Sequence, residues 1–334
     1  MKNHNAVIKG VAYYHPENSV SNEYFIKHFE KQGKDIRHLL ENTGRENRYI
    51  SDDFNETILS MGLNATNNVL EKTNINPGEL NLIVFSTSTP EYISPTNALK
   101  IHNEIRAGQR TVVYDLNANC AGMLVALEQV SRSMRDNPRI KYALIVGSDQ
   151  LNRFSRFNEA ISYANFGDSA CAMILENISN TDSGFIDSES YTNSSNHDKI
   201  LLPAKGFSQV IHNKGLDIKD KLVGWSNFSL EGAFYSAWIS IEGLIFRNGI
   251  TKKDIKKYFL SQFAKKNIDY VCEQLEEEPE KFVFIGDEFG YTGTTSPILA
   301  FAKTIESNEL TKGDYVIFWT VGAGTTCSCI LYRY

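Results

Sequence analysis

Cys120 sits in the run Asp115-Leu-Asn-Ala-Asn-Cys-Ala-Gly-Met123, between an apolar segment that reads as a buried strand, Thr111–Asp115, and a segment with the periodicity of a buried helix, Ala121–Val130. That spacing places the cysteine at or just before the first helical turn. Unpaired backbone N–H groups and the positive end of the helix dipole favour an anion there, so the thiol is expected to lean toward thiolate and to act as a nucleophile. The same pattern also fits a small buried core residue, because free cysteine is among the most buried types. Five cysteines in a chain this long do not make a disulfide framework. Cys327 and Cys329 share one face of an expected strand, but no further ligand stands nearby. The seven histidines show no zinc-binding spacing, and no metal site is expected.

The elements that must hold Cys120 alternate between strand and helix, the mark of an α/β sheet covered on its faces. Strands are expected at Ala6–Tyr14, Leu80–Ser86, Thr111–Asp115, Lys141–Gly147 and Phe166–Leu175, and helices at Asn22–Gln32, Ile36–Asn42, Ile58–Lys72 and Pro95–Ile105. The polar stretch Glu176–Gly184 divides the chain into halves at 1–176 and 177–334. The second half opens with a strand near Phe185–Tyr191 and a polar excursion, Asn193–Lys219. Helices at Leu230–Phe246 and Ala264–Leu275 flank a strand at Lys257–Ser261, and two strands, Tyr315–Thr320 and Thr325–Arg333, close the chain. The similar order of elements in the two halves points to an internal duplication. The acidic run Glu276–Glu280 reads as a solvated helix end.

Composition narrows the function. The 334 residues are 42% hydrophobic and 22% charged, as in an ordinary globular protein. A net charge of −6 with scattered Lys and Arg argues against a nucleic-acid or anionic-membrane surface. No apolar run approaches the roughly 20 residues that span a bilayer, and the polar start Met1–Asn5 lacks a signal-peptide core. A cytoplasmic protein is expected.

Several separated motifs resemble the thiolase superfamily and, within it, the ketoacyl synthase III branch. They are Thr43-Gly-Arg45 with Arg48, Ser86-Thr-Ser-Thr-Pro-Glu-Tyr92, Asn119-Cys-Ala-Gly122, Phe166-Gly-Asp168 and Val321-Gly-Ala-Gly-Thr325, in the family's order and spread over nearly the whole chain. The resemblance implies an α/β fold, a thiolase-like five-layered αβαβα sandwich of two similar halves. It also implies a homodimer, or a heterodimer with a homologue, and no cofactor beyond an acyl-CoA or acyl carrier protein (ACP) substrate. Cys120 would attack the acyl thioester. Backbone N–H groups of Cys120 and Ala323 would form the oxyanion hole.

The chain departs from the family at its other two catalytic positions. The family's His, in a His-Gln-Ala-Asn motif, aligns with Gln262, and its Asn, in Gly-Asn-Thr-Ser, aligns with Tyr291. Gln262 and Tyr291 can each donate a hydrogen bond, so both are candidate catalytic residues, yet Gln262 has no useful pKa and cannot be a general base. Losing one preorganised oxyanion donor typically costs about 10²–10³ in rate. Acyl transfer to Cys120 is therefore expected, and malonyl decarboxylation in the usual manner is not. A base for the acceptor could come from Asp287 or Glu288, or from His197 or His212 if the polar excursion folds over the site. Ser94 stands where the family often has an aromatic contributing to the neighbouring subunit's acyl pocket, and Asn119 replaces a frequent Ala; both are candidate pocket residues. The leading expectation is an acyltransferase of fatty-acid-related or polyketide metabolism. Two alternatives stand beside it: a catalytically silent subunit of a heterodimer, and a decarboxylating synthase with altered His and Asn positions.

Overall fold

The computed structural model describes residues 4–334. Nine strands build its two main sheets: β1 (His4–Tyr14), β2 (Leu80–Ser86), β3 (Val112–Leu116), β4 (Tyr142–Gln150), β5 (Asp168–Ser179), β6 (Gly184–Thr192), β7 (Ile255–Leu260), β8 (Tyr315–Gly322) and β9 (Thr326–Arg333). The first sheet runs β1-β5-β4-β2-β3 and the second β6-β9-β8-β7. In both, the first two pairings are antiparallel and the next is parallel, so β6, β9, β8 and β7 repeat β1, β5, β4 and β2. The counterpart of β3 is reduced to a parallel bridge between Tyr258 and Phe282. The two halves thus share one topology.

Five helices matter for the site: α1 (Ile58–Thr73), α2 (Gly122–Asp136), α3 (Glu231–Arg247), α4 (Lys265–Leu275) and α5 (Ser296–Glu306). Strands buried on both faces read as continuous apolar runs, and their alternate residues enter different cores. Leu82 and Val84 of β2 face the central core with Met123 and Leu127 of α2, Leu299 and Phe301 of α5, and Val316 and Phe318 of β8. Ile83 and Phe85 of the same strand pack outward against Met61 and Val69 of α1. On the far side, Ile317 and Trp319 of β8 meet Ile241 of α3 and Val271 of α4. The layers are therefore helix, sheet, helix pair, sheet, helix, as the five-layered sandwich requires.

One strand differs from expectation. The apolar run at 111–115 forms β3, but it lies at the sheet edge with Val112 60% exposed, so it is not a buried strand. Apolar content alone does not separate an edge from a centre. No helix among the described residues is long and apolar enough to cross a membrane.

Candidate active site

The chain leaves β3 through a tight turn and enters α2 two residues after Cys120. The Asn117 side chain accepts the Asn119 N–H at 2.9 Å, and Asn119 adopts the left-handed conformation, φ 52°, which asparagine tolerates better than most residues. The carbonyls of Ala118 and Asn119 accept the N–H groups of Ala121 and Gly122 at 3.1 and 3.0 Å. Gly122 is required here by packing, since a Cβ would lie 2.1 Å from Ser86 Oγ. Cys120 is thereby held at the wall of a cavity of about 140 Å³.

Placement at the helix start is as expected, but the thiolate is not. Burial pushes the Cys120 thiol up to about 12, and the neighbouring Asp149 carboxylate adds to the rise; only a hydrogen bond from Tyr291 and its own N–H oppose it. The donors of the helix start do little to offset that burial. The Ala121 and Gly122 N–H groups are satisfied within the turn, and Met123 N–H donates to Thr294 Oγ1 at 2.9 Å. A helix terminus whose N–H groups already have partners offers little to an anion.

Tyr291 reaches the thiol from the second half. Its backbone is locked to the first half by Tyr291 N–H donating to Asn165 O at 2.9 Å and Gly167 N–H donating to Tyr291 O at 3.0 Å. Its hydroxyl lies against both the Cys120 thiol and the Ser261 hydroxyl. Burial, with Cys120 adding, holds the phenol well above its ordinary range, so Tyr291 is a proton-bearing donor and not a base.

Gln262 does something else. Its Nε2 donates to Leu260 O at 2.8 Å and Val283 O at 3.0 Å, and its Oε1 accepts Ile285 N–H at 2.8 Å. Every hydrogen-bonding group of the side chain used there is tied to backbone, so Gln262 brackets β7 to the 282–285 segment and has no place among the cavity walls. The next residue, Phe263, faces the cavity in its stead. Arg45, fully buried and lowered by that burial to about 9, braces the same loop by donating to Asn165 Oδ1 at 2.6 Å and Phe263 O at 2.8 Å.

The remaining candidates divide. Cys120 and Ala323, expected to supply the oxyanion N–H groups, both border the cavity. Asn119 also borders it and donates its Nδ2 to Ala323 O at 3.3 Å, joining the nucleophile turn to the glycine loop. Gly322 packs flat against that turn, where a Cβ would lie 3.0 Å from Ala118 O. Ser94 is exposed beside Tyr92 and Ile93 and does not line this chain's own cavity. His197 and His212 are exposed as well, and Asp287 and Glu288 are not among the cavity walls. Among the described residues, no cluster of His, Cys, Asp or Glu could hold a metal.

Two features escape sequence reasoning. The polar excursion does fold over the site, but it delivers Ile200 and Leu202 to the cavity wall instead of histidines, and the segment just after it adds Val223 and Trp225. Asp149, at the end of β4, is buried beneath the nucleophile, and burial pushes its carboxyl up against the pull of several donors. It accepts Ser88 N–H at 2.8 Å, Thr87 Oγ1 at 3.0 Å and Thr294 N–H at 2.9 Å. A charged residue ending an otherwise apolar strand, Gly147-Ser-Asp149, was the available signal, because strand C-termini are where α/β sheets build their sites.

Fold and site together define a thiolase-like protein with a cysteine at the turn into a central helix. The family model for 3-oxoacyl-[acyl-carrier-protein] synthase III matches residues 114–194, and that for its C-terminal region matches residues 245–334. A beta-ketoacyl-[acyl-carrier-protein] synthase III of Clostridium perfringens is 28% identical, with 98% of this chain and 99% of that protein aligned. Among solved structures, a 3-oxoacyl-[acyl-carrier-protein] synthase III from Aquifex aeolicus superposes with a TM-score of 0.85 at 21% identity, covering 98% of this chain and all of the other. The priming beta-ketosynthase of the R1128 polyketide pathway superposes with a TM-score of 0.86 at 20% identity, covering 99% and 96% of the two chains. The chain belongs to the beta-ketoacyl-ACP synthase III-like branch of the thiolase superfamily.

Proposed function

We propose that this protein takes an acyl group from an acyl-CoA or acyl-ACP thioester onto Cys120 and passes it to an acceptor, without the malonyl decarboxylation of the usual condensing reaction. The observation that carries the reading is the asymmetry of the site: the cysteine and the two backbone oxyanion candidates border one cavity, while the Gln262 amide is tied to backbone and turned from it. In the loading step the Cys120 sulfur bonds to the thioester carbonyl carbon, the carbon–sulfur bond to the carrier breaks, and the thiol proton ends on the departing sulfur. Because burial holds the Cys120 thiol up at about 12, its proton has to move during attack, and the Tyr291 hydroxyl is the side-chain group that favours the thiolate. Of the donor pair that would hold an enolate, only the Tyr291 hydroxyl faces the cavity and the Gln262 amide is withdrawn, so C–C bond formation from malonyl thioester has little support here.

The edge of β3, with Val112 and the nearby Tyr92, Ile93 and Leu99 exposed, supports a dimer formed with a second copy or a homologue. The test is intact mass after incubation with acyl thioesters, run beside Cys120→Ala and an assay of labelled CO₂ release from malonyl thioester. An adduct that needs Cys120, with no CO₂ release, is expected. No adduct from any donor would overturn the reading in favour of a silent subunit, and Cys120-dependent CO₂ release would overturn it in favour of a decarboxylating synthase.

A further inference from the structure

Helix α3 covers the far face of the second sheet, and it is apolar on two sides. Its inner side, with Phe234, Ala237, Ile241 and Leu244, is buried against the sheet. The outer side of a surface helix is ordinarily polar. Here it carries Tyr235, Ile239 and Phe246, which are 56%, 40% and 87% exposed. With Glu242 these residues are spaced by four, three and four positions, so they form one stripe along the helix. Half-buried Trp238 flanks the stripe, its ring edge-on to Tyr235 at 5.4 Å. Single exposed apolar residues need no explanation, but a contiguous stripe marks a contact surface, and Tyr and Trp are the types that centre such surfaces.

The stripe is complementary to itself. When two copies of α3 lie antiparallel with Ile239 on a two-fold axis, Phe246 of each faces Gly232 of the other, seven residues either side of the axis, and Tyr235 faces Gly243, four residues either side. Gly232 stands in open space, where a Cβ would meet no atom within 4 Å. It also borders a groove between α3 and α4, walled by Tyr235, Lys266 and Tyr270 among others, which can receive the Phe246 ring of a second copy. Charge agrees with shape. Glu231 in the first turn and Arg247 in the last stand eight residues from Ile239 on opposite sides, so the same register sets each Glu231 against the Arg247 of the other copy. Arg247 already holds Asp187 and Glu189, and its guanidinium has N–H groups to spare. A parallel pairing would bring like charges together, and a register centred between Ile239 and Glu242 would set a carboxylate on an apolar side chain.

We infer that the outer face of α3 is a homotypic contact, made by two copies of this chain across a two-fold axis through Ile239. The contact is separate from the chemistry of Cys120. It is also separate from the β3 edge, which belongs to the other sheet, so the two together would join dimers in pairs. The 17 residues of α3 make a strip about 25 Å long. A strip of that size falls at the low end of specific interfaces, so the association is reversible and concentration-dependent.

The experiment is sedimentation equilibrium of the full chain over a wide concentration range, in the wild type and in Val112→Lys, which opens the β3 edge; the α3 association is expected in both. Ile239→Lys sets two ammonium groups against each other on the axis and is expected to weaken that association at least about 30-fold. Phe246→Ala and Gly232→Phe should each weaken it about tenfold, because one removes the knob and the other fills the hole. Combined in one chain, the two exchange knob and hole, and the association should return to within about threefold of the wild type. A role confined to one chain's own folding gives no such rescue. Ile239→Cys, introduced beside Cys120→Ala, is expected to yield a covalent pair of chains with a short bismaleimide, since the two sulfurs meet at the axis. Association that Ile239→Lys leaves unchanged, or a paired exchange without rescue, overturns the inference. Pelleting with phosphatidylcholine vesicles that Ile239→Lys abolishes, with no covalent pair from Ile239→Cys, overturns it in favour of a bilayer-facing stripe.

Discussion

The turn that carries Cys120 and its counterpart ahead of α5 occupy matching places in two copies of one topology, and they have been put to different uses. In the first copy β3 is a full strand, Asn119 takes the left-handed conformation, and the sulfur meets an apolar cavity. In the second copy the strand shrinks to the Tyr258–Phe282 bridge, and the chain brings up the Tyr291 phenol and the Thr294 hydroxyl. On the acyl-enzyme proposal, one copy supplies the reacting atom. The other supplies groups that steer it: a proton-bearing hydroxyl against the thiol, and an acceptor for the first turn of α2. The comparison teaches that an α/β repeat fixes where a site lies, while the few residues after each strand decide what the site does.

The largest effect that would test this division is at Asn119. Asn119→Gly keeps the left-handed turn accessible and deletes the amide that clamps Ala323; Asn119→Ala deletes the amide and strains the turn. Both are expected to slow acyl transfer by about 10²-fold if the clamp sets the oxyanion hole, the scale of losing one donor. A wild-type rate for the Gly variant would reduce Asn119 to a turn former. Next comes Tyr291→Phe, read by iodoacetamide alkylation of Cys120 against pH. With the thiol pushed up to about 12, the wild-type rate should climb without a plateau from pH 7 to pH 10. A hydrogen bond to the thiolate lowers its pKa, so removing the hydroxyl raises it further and should slow alkylation about threefold to tenfold at any one pH. Faster alkylation, or a plateau near pH 8, would contradict the assignment. The smallest catalytic effect is expected at Gln262. Gln262→Ala should cost about 1–3 kcal/mol in a denaturant titration, because three backbone partners lose their hydrogen bonds, and change the acylation rate less than about twofold. A large rate loss with unchanged stability would return Gln262 to the chemistry.

Much of this arrangement was legible in the chain. The strand Leu80–Ser86 and the helix from Ile58 are periodic signals strong enough to read alone, and the order of the Cys120, Phe166 and Val321 motifs gave the family and the layers. The site was legible where a residue's place follows from its backbone position, as for Cys120 and Ala323, which border one cavity. It failed where a role depends on which partner a side chain finds. Gln262 aligned with a catalytic position, but a single residue's rotamer leaves no trace in periodicity. The thiolate expectation assumed free N–H groups in the first turn of α2, and the acceptor that takes the Met123 N–H, Thr294, lies 171 residues away. The excursion read as polar because its apolar residues are widely spaced, and only folding collects its Ile200 and Leu202 on one wall with Val223 and Trp225 from beyond its end.

The Asp149 network has a consequence for how this protein can be divided or inherited. A carboxylate of the first half accepts the Thr294 N–H of the second, and the Thr294 hydroxyl in turn finishes the first half's helix. Modules that merely abut can be cut apart, shuffled or recombined at the seam. Here the seam runs through the scaffold of the reactive sulfur, so a severed half would keep its share of strands and lose the centre that both halves exist to build.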